Sequence, residues 1–127
     1  MTNHRPTTIA LRTGLLADAM AIVEQDYASD LTVESVARRV ASSPRQLQRA
    51  YKEIAGTTFR AHLTAVRMER ARDLLLTSRL PVAEVARRVG YRQPAQFAKA
   101  FRRHHGASPS ELRARARRGE VCPFPGG

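Results

Sequence analysis

The stretch Val33-Glu-Ser-Val-Ala-Arg-Arg-Val40 occurs a second time in the chain, as Val82-Ala-Glu-Val-Ala-Arg-Arg-Val89. Six of the eight residues are identical at an offset of 49. After one inserted residue the similarity continues at an offset of 50, from residues 44–56 to residues 94–106. Two copies are too few for a solenoid, which needs about three repeats or more to bury its faces. The repeat therefore predicts a duplicated supersecondary unit.

Each copy has the pattern of two short helices joined by a tight turn. In the first copy, apolar residues recur at i, i+3, i+4 and i+7 from Val33 to Val40, and Thr32 precedes them as an N-cap. Ser43-Pro44 then supplies a second N-cap with proline at the first helical position. Gly56 ends the second helix as a C′ glycine. This order is typical of a helix-turn-helix unit.

The second helix of the first copy has two chemically distinct faces. Its predicted inner face is apolar and consists of Leu47, Ala50, Tyr51 and Ile54. Its predicted outer face is polar and consists of Arg45, Gln48, Arg49 and Lys52. Arginine and glutamine can each make paired hydrogen bonds to guanine or adenine edges. The alternative is a merely solvated charged face, but the repeat, the turn and the net charge favour DNA recognition.

The second copy carries different chemistry at the matching outer positions. Arg45 and Gln48 correspond to Ala95 and Ala98, and alanine can contact only a thymine methyl group. We expect base reading from Arg45, Gln48 and Arg49 in the first copy and from Gln96 and Lys99 in the second. Phosphate contacts and positioning are expected from Ser43, Lys52, Arg92, Gln93, Arg102 and Arg103.

The rest of the chain completes an all-α prediction, because no segment alternates like a strand between turn signals. Leu16, Met20, Val23 and Tyr27 form the stripe of a first helix. The expected fold is two helix-turn-helix units joined by a long central helix, with about seven helices in all. Three segments are predicted: a flexible N-terminal arm (1–15), a DNA-binding domain (16–118) and a disordered tail (119–127). Within the DNA-binding domain we expect a first helix-turn-helix (32–55), a linker helix (58–77) and a second helix-turn-helix (81–105).

The linker helix is predicted to begin after Thr58, a good N-cap. Its expected apolar face consists of Phe59, Leu63, Val66, Ala71, Leu74 and Leu75. A helix of about 20 residues spans about 30 Å. That length is close to the ~34 Å between successive major-groove faces of a duplex. We therefore expect this helix to set the spacing of two DNA-reading helices.

The charge balance indicates a polyanionic partner. The 127 residues include 22 basic and 11 acidic side chains, for a formal net charge of +11. Of the basic residues 20 are arginine, which favours bidentate contacts to phosphate and guanine. The sequence lacks a long apolar run and a signal peptide. We therefore expect a cytoplasmic protein, nucleoid-associated when bound to DNA, with no membrane partner.

Other functions have weaker support in the sequence. His4, His62, His104 and His105 show no ligand spacing with cysteine or carboxylates, and His104 is expected on the core-facing stripe. We therefore expect no metal site and no cofactor. Cys122 leaves open a DNA-repair alkyl-acceptor enzyme with a borrowed DNA-binding domain, although this thiol lies in a Pro/Gly-rich tail without a nearby base. A basic membrane-surface protein is disfavoured, because the basic faces lack large apolar flanks.

Residues 16–118 resemble the DNA-binding domain of AraC/XylS-type bacterial transcription regulators. The strongest match is the segment 90–109, with a Gly-aromatic turn at Gly90-Tyr91, a Phe-x-x-x-Phe-basic helix and the ending Gly106-Ala-Ser-Pro109. Ser43-Pro44-x-x-Leu47-x-Arg49 and Arg67-x-x-x-Ala71-x-x-Leu74-Leu75 match further landmarks of the family. The resemblance covers about four-fifths of the chain.

The resemblance implies two helix-turn-helix units that each place a second helix in a major groove of double-stranded DNA. It also implies a role in transcription regulation, which we expect to be activation with a contact to RNA polymerase, and no enzymatic activity. A chain of 127 residues has no room for a separate effector-binding and dimerisation domain. It therefore resembles short stand-alone members that bind as monomers, unless it is a piece of a longer protein.

One departure from the family pattern has a structural cost. Ala41 occupies the position at which the first turn usually has glycine. If this residue adopts a positive φ, alanine costs on the order of 1 kcal/mol. The pair Ala95-Gln96 replaces a common small-aromatic pair, and this change alters the contacts expected of the second unit.

Overall fold

The computed structural model describes residues 4–120, with side chains from residue 10 onward. Within that range all regular secondary structure is helical, without a strand, as predicted. Between residues 4 and 120 none of the helices has the apolar length that a membrane span requires. The helices are α1 (His4–Asp26), α2 (Val33–Arg39), α3 (Pro44–Ala50), which continues into a π-helical turn (Tyr51–Ala55), α4 (Phe59–Thr77), α5 (Val82–Arg88), α6 (Pro94–His105) and α7 (Pro109–Arg117).

The chain forms two compact units, one up to Leu63 and the other from Thr64 onward. The division falls within α4, whose first turn belongs to the first unit and whose remaining turns belong to the second. Each unit contains one copy of the sequence repeat, with α2 and α3 in the first and α5 and α6 in the second.

In the first unit α1 packs against both α2 and α3. From α1 the core receives Leu16, Ala19 and Val23, which lie at helical spacing on one face. The side chains of Leu47 and Tyr51 are fully buried and hold the inner face of α3 and its π-helical turn against this core. The remaining buried residues of the first unit are Val36, Ala37, Ala50, Phe59 and Leu63.

In the second unit the inner face of α6 has the same role. Phe97 and Phe101 are fully buried, with ring centroids 5.7 Å apart. The Arg113 guanidinium from α7 donates to the backbone carbonyls of Leu75 (3.1 Å) and Leu80 (2.5 Å) and so fixes the connection after α4. The remaining buried residues are Met68, Ala71, Leu75, Val85, Ala86, Val89, Ala107, Pro109 and Leu112.

Side-chain caps begin several helices where the sequence predicts them. Thr32 and Ser43 each accept a hydrogen bond from the backbone N–H three residues later, at 3.0 and 3.1 Å. Ser108 does the same at the start of α7, with Pro109 at the first helical position. Each bond satisfies an N–H that a helix otherwise leaves unpaired.

The turns that end α2 and α5 have the same hydrogen bonds but different residues. In the first turn the N–H of Ser42 donates to Ala37 (2.8 Å), and in the second the N–H of Tyr91 donates to Ala86 (2.9 Å). These are Schellman turns, which need a left-handed residue after the helix. Gly90 supplies it in the second turn at φ 103°, but Ala41 supplies it in the first at φ 55°. The first turn is therefore strained.

The prediction of a flexible N-terminal arm over residues 1–15 is wrong from His4 onward, because α1 begins there. Between residues 10 and 15 the apolar period is absent because these side chains are exposed or only partly buried, with Leu11 69% exposed. Once a helix exists, extension by good helix formers such as Ala10, Leu11 and Arg12 is favourable. An ion pair from Arg12 to Glu53 also holds this end of α1 against the π-helical turn.

Two details of the predicted core are also wrong. Ile54 is 42% exposed, because the π-helical turn adds a residue per turn and moves Ile54 off the inner face. In α4 Met68 is fully buried although it was not predicted for the apolar face, whereas Val66 and Leu74 are only partly buried. The predicted disordered tail lies mostly outside the described residues, as does Cys122.

We predict that Ala41→Gly stabilises the protein by up to about 1 kcal/mol. Glycine removes a left-handed strain of about 1–2 kcal/mol and costs about 0.5–1 kcal/mol of extra chain entropy. The midpoint of urea unfolding measures the change. The matched control is Gly90→Ala, in which the new Cβ lies 3.0 Å from the Arg67 guanidinium at a positive φ. That variant should lose stability, and a destabilised Ala41→Gly would contradict the strain assignment.

The contact between the buried Tyr51 and the partly buried His62 predicts a pH window for the stability of the first unit. Their Oη and Nδ1 atoms are 2.9 Å apart. Burial lowers the pKa of His62 below its ordinary 6.5, so the unfolded chain binds more protons and stability is lost as the pH falls below 6.5. Burial, with the Glu24 charge, raises the pKa of Tyr51 to about 12, so stability falls as the pH rises above 10.

Thermal unfolding of the first unit across this pH range measures both effects. His62→Gln keeps a polar neighbour for Tyr51 but does not titrate, so the loss of stability that begins below pH 6.5 should disappear in this variant. An acid profile identical to that of the unsubstituted protein would show that other groups cause the loss.

Candidate nucleic-acid interface

The outer face of α3 and its π-helical turn is polar and open to solvent. Burial of Leu47 and Ala50 fixes the rotation of the helix about its axis. The opposite side chains therefore point away from the core of the first unit. All four residues predicted for this face are exposed, namely Arg45, Gln48, Arg49 and Lys52.

The cations of this face, Arg45, Arg49 and Lys52, have charges that are available to a bound anion. Between residues 10 and 120, where side chains are described, neither Arg45 nor Arg49 nor Lys52 has a carboxylate within ion-pair distance. The nearby carboxylate of Glu53 is held by Arg12 from α1. The hydrogen bond from Arg12, followed by the charges of Arg12, Arg49 and Lys52, lowers the pKa of Glu53. Glu53 is therefore ionised, and Arg12 offsets its charge.

The N-terminal turn of α3 is fixed by two polar side chains. The hydroxyl of Ser43 accepts from the N–H of Gln46, and the Gln46 Oε1 atom lies 3.4 Å from the N–H of Ser43 and 3.2 Å from the hydroxyl of Ser42. Gln46 therefore serves as a cap. Ser43 is exposed at the helix N-terminus, where helices bind phosphate.

The outer face of α6 in the second unit is arranged in the same way with different side chains. No side chain caps this helix at Gln93. Gln96, which corresponds to Gln46, is therefore outside a capping box and exposed. Ala95 is also exposed and Ala98 is half-buried. The remaining predicted residues of this surface are exposed, namely Arg92, Gln93, Lys99, Arg102 and Arg103.

The repeat also differs in charge at the end of the second helix. Glu53 in the first unit corresponds to Arg103 in the second at the offset of 50. The last turn of α6 contains Arg102 and Arg103. Cations at a helix C-terminus are favoured by the helix dipole. The second unit therefore presents more positive charge beside its second helix than the first.

The histidines of α6 do not lie where the sequence analysis expected them. His104 is exposed, and His105 is the partly buried residue of the pair, because its ring packs 4.5 Å from Phe101. The fold also brings the Glu69 carboxylate from α4 to both rings. The sequence analysis missed this cluster because Glu69 and His104 are 35 residues apart.

Comparison with known proteins agrees with this geometry. A family described as "Helix-turn-helix domain" matches residues 36–115. The chain is 36% identical over 86 residues to the arabinose operon regulatory protein of Escherichia coli, covering 68% of this chain and 30% of that protein. It is 33% identical over 95 residues to the lactose operon transcription activator of Staphylococcus xylosus, covering 75% and 34%. The chain thus spans about a third of the length of these curated relatives.

Solved structures show the same fold. The C-terminal domain of AraT, a response regulator from Geobacillus stearothermophilus, superposes with a TM-score of 0.77 at 39% identity, covering 79% of this chain and 84% of that one. The DNA-binding domain of AdpA, a global transcriptional factor solved with a target DNA, has a TM-score of 0.76 at 35% identity, with coverages of 84% and 97%. The chain belongs to the helix-turn-helix family of the AraC/XylS type.

Proposed function

We propose that this chain is a sequence-specific regulator of transcription that binds double-stranded DNA through α3 and α6. The observation that carries the proposal is the outer face of α3, where exposed cations and an amide stand on a helix whose inner face is fully buried. The similarity to the AdpA domain, solved with a target DNA, supports the same conclusion. In this proposal each helix enters a major groove, and the two grooves are successive on one side of the duplex.

The first unit carries most of the base discrimination in this proposal. Arg45, Gln48 and Arg49 are side chains that can make paired hydrogen bonds to base edges. They are exposed, and no carboxylate within the described chain neutralises the two arginines. Lys52, farther along the same face, would contact phosphate, and Ser43 would position the helix N-terminus on the backbone.

The second unit contributes mainly phosphate contacts. Ala95 and Ala98 stand where the first unit has Arg45 and Gln48, and a methyl group cannot make a bidentate hydrogen-bond pair. Gln96 and Lys99 are its polar candidates for base reading. The remaining polar residues of this surface would contact the DNA phosphate backbone, namely Arg92, Gln93, Arg102 and Arg103. Such contacts supply affinity without sequence information.

We further propose that the chain binds as a monomer, because the outer faces of its two units differ and suit an asymmetric site. We also propose a role in activation, in keeping with the similarity to the lactose operon transcription activator of Staphylococcus xylosus. A contact to RNA polymerase on the bacterial nucleoid is a further part of this proposal. The proposal includes no catalytic step. Incubation with methylated DNA should therefore leave the mass of the protein unchanged.

We predict that Arg45→Ala or Arg49→Ala reduces affinity for the selected DNA site by about 1–3 kcal/mol and relaxes the preference at one base pair. The matched control is Arg102→Ala, an exposed arginine of the second unit, which should weaken binding to all sequences alike. Fluorescence anisotropy with the selected site and a scrambled duplex separates the two effects. If Lys99→Ala erases discrimination while both first-unit variants keep it, the division between the units is reversed.

We predict that footprinting shows two protected major-groove segments about 10 base pairs apart on one face of the duplex. Each proposed reading helix accounts for one of them. Removing positive charge from α6 with an Arg102→Ala and Arg103→Ala double variant should weaken protection of one segment before the other. Protection of a single short segment by the unsubstituted protein would rule out two readers.

A further inference from the structure

Three side chains of types that can ligate a metal ion lie close together in the second unit. Glu69 lies in α4, and His104 and His105 end α6. The Glu69 Oε2 atom is 3.3 Å from the Nε2 atom of His104 and 3.8 Å from the Nε2 atom of His105. One ligand atom from each of the three residues lies within 4.8 Å of the other two. No other group of three such residues occurs among the described side chains.

These separations suit a tetrahedral cation. Zinc binds imidazole nitrogen and carboxylate oxygen at about 2.0–2.2 Å, so two of its ligand atoms lie about 3.3 Å apart. The first separation already has this value, and the second exceeds it by an amount that a small rotation of the exposed Glu69 side chain can remove. The ligand nitrogens of the two histidines lie within 4.8 Å of each other, so rotation of the exposed His104 ring must bring them closer before the three atoms share one ion.

We propose that Glu69, His104 and His105 bind a first-row divalent cation of the zinc class, with solvent as the fourth ligand. Solvent reaches the site, because the side chains of Glu69 and His104 are 58% and 33% exposed. The His105 side chain is only 13% exposed and forms the fixed side of the site.

The orientation of the two rings is set by packing. The His105 ring lies 4.5 Å from the Phe101 ring and 4.7 Å from the His104 ring, with the two imidazoles at 83° to each other. Their Nε2 atoms point toward the same carboxylate as a result. This preorganisation lowers the entropic cost of collecting ligands from two helices.

One existing contact competes with the metal. The Nε2 atom of His105 lies 3.0 Å from the backbone carbonyl of Met68, to which it can donate only when it carries the ring proton. Metal binding needs the tautomer with the proton on Nδ1. The site therefore exchanges one hydrogen bond for one coordination bond at His105.

The ligand set selects among cations. Imidazole nitrogen suits zinc, copper and nickel, whereas magnesium and calcium need several oxygen ligands. The site has a single carboxylate, and the chain has a net charge of +11. Magnesium and calcium should therefore bind weakly at this site. Zinc bound here would join α4 to the last turn of α6 and stabilise the folded second unit through binding linkage.

Calorimetry with zinc chloride tests the site in protein whose only thiol is removed by Cys122→Ser. We expect one equivalent of zinc to bind and to raise the Tm by several degrees, and cobalt to give the visible absorption of a four-coordinate site. Glu69→Gln, His104→Ala and His104→Asn should each reduce zinc affinity about 10-fold or more. Both altered residues are solvent-accessible, so the variants should keep the Tm of the parent in chelator.

Two controls make the result specific. His62→Gln removes a histidine of the first unit and should leave zinc affinity unchanged. Magnesium chloride at the same concentration should leave the Tm unchanged. Zinc binding of equal strength in the parent and the three cluster variants would overturn the proposal, as would the absence of measurable zinc binding to the parent. The test contains no DNA, so its outcome is independent of the proposed function.

Discussion

Burial of one face of each repeated second helix is the constraint on which the rest of the structure depends. Leu47 and Tyr51 in the first unit, and Phe97 and Phe101 in the second, have no exposed surface. A helix fixed on one side must present its other side to solvent, since consecutive residues point in different directions around its axis. The polar faces of α3 and α6 are thus positioned by apolar packing, and their chemistry is free to differ between the copies.

The two copies are similar in their buried packing but differ in their exposed side chains. The turns after α2 and α5 share their hydrogen bonds, but only the second has the glycine that the geometry favours. Gln46 takes part in a capping box at the start of α3, whereas no side chain caps α6, where its counterpart is Gln96. Glu53, paired with Arg12, is replaced by Arg103 in the second copy. These differences are consistent with the proposal that the first unit contacts base edges and the second contacts mainly the DNA phosphate backbone.

Local chemistry made much of this predictable from the sequence. The caps at Thr32 and Ser43 depend on residues three apart, and the repeat identified both turns and the outer face of α3. Features set by distant contacts were not predictable. The early start of α1 involves the ion pair of Arg12 with Glu53, 41 residues away, and the Glu69 cluster depends on how α4 and α6 pack. The exposure of Ile54 follows from a π-helical turn, for which the apolar period gives no signal.

We propose that the duplicated units divide base reading and DNA-backbone binding unequally. Selection of bound duplexes from a random pool, followed by sequencing of the bound fraction, measures this division. We expect an asymmetric site with one strongly specified segment and, about one helical turn away, a second segment of weak preference. Two equally specified segments, or a palindrome that indicates a symmetric dimer, would contradict it.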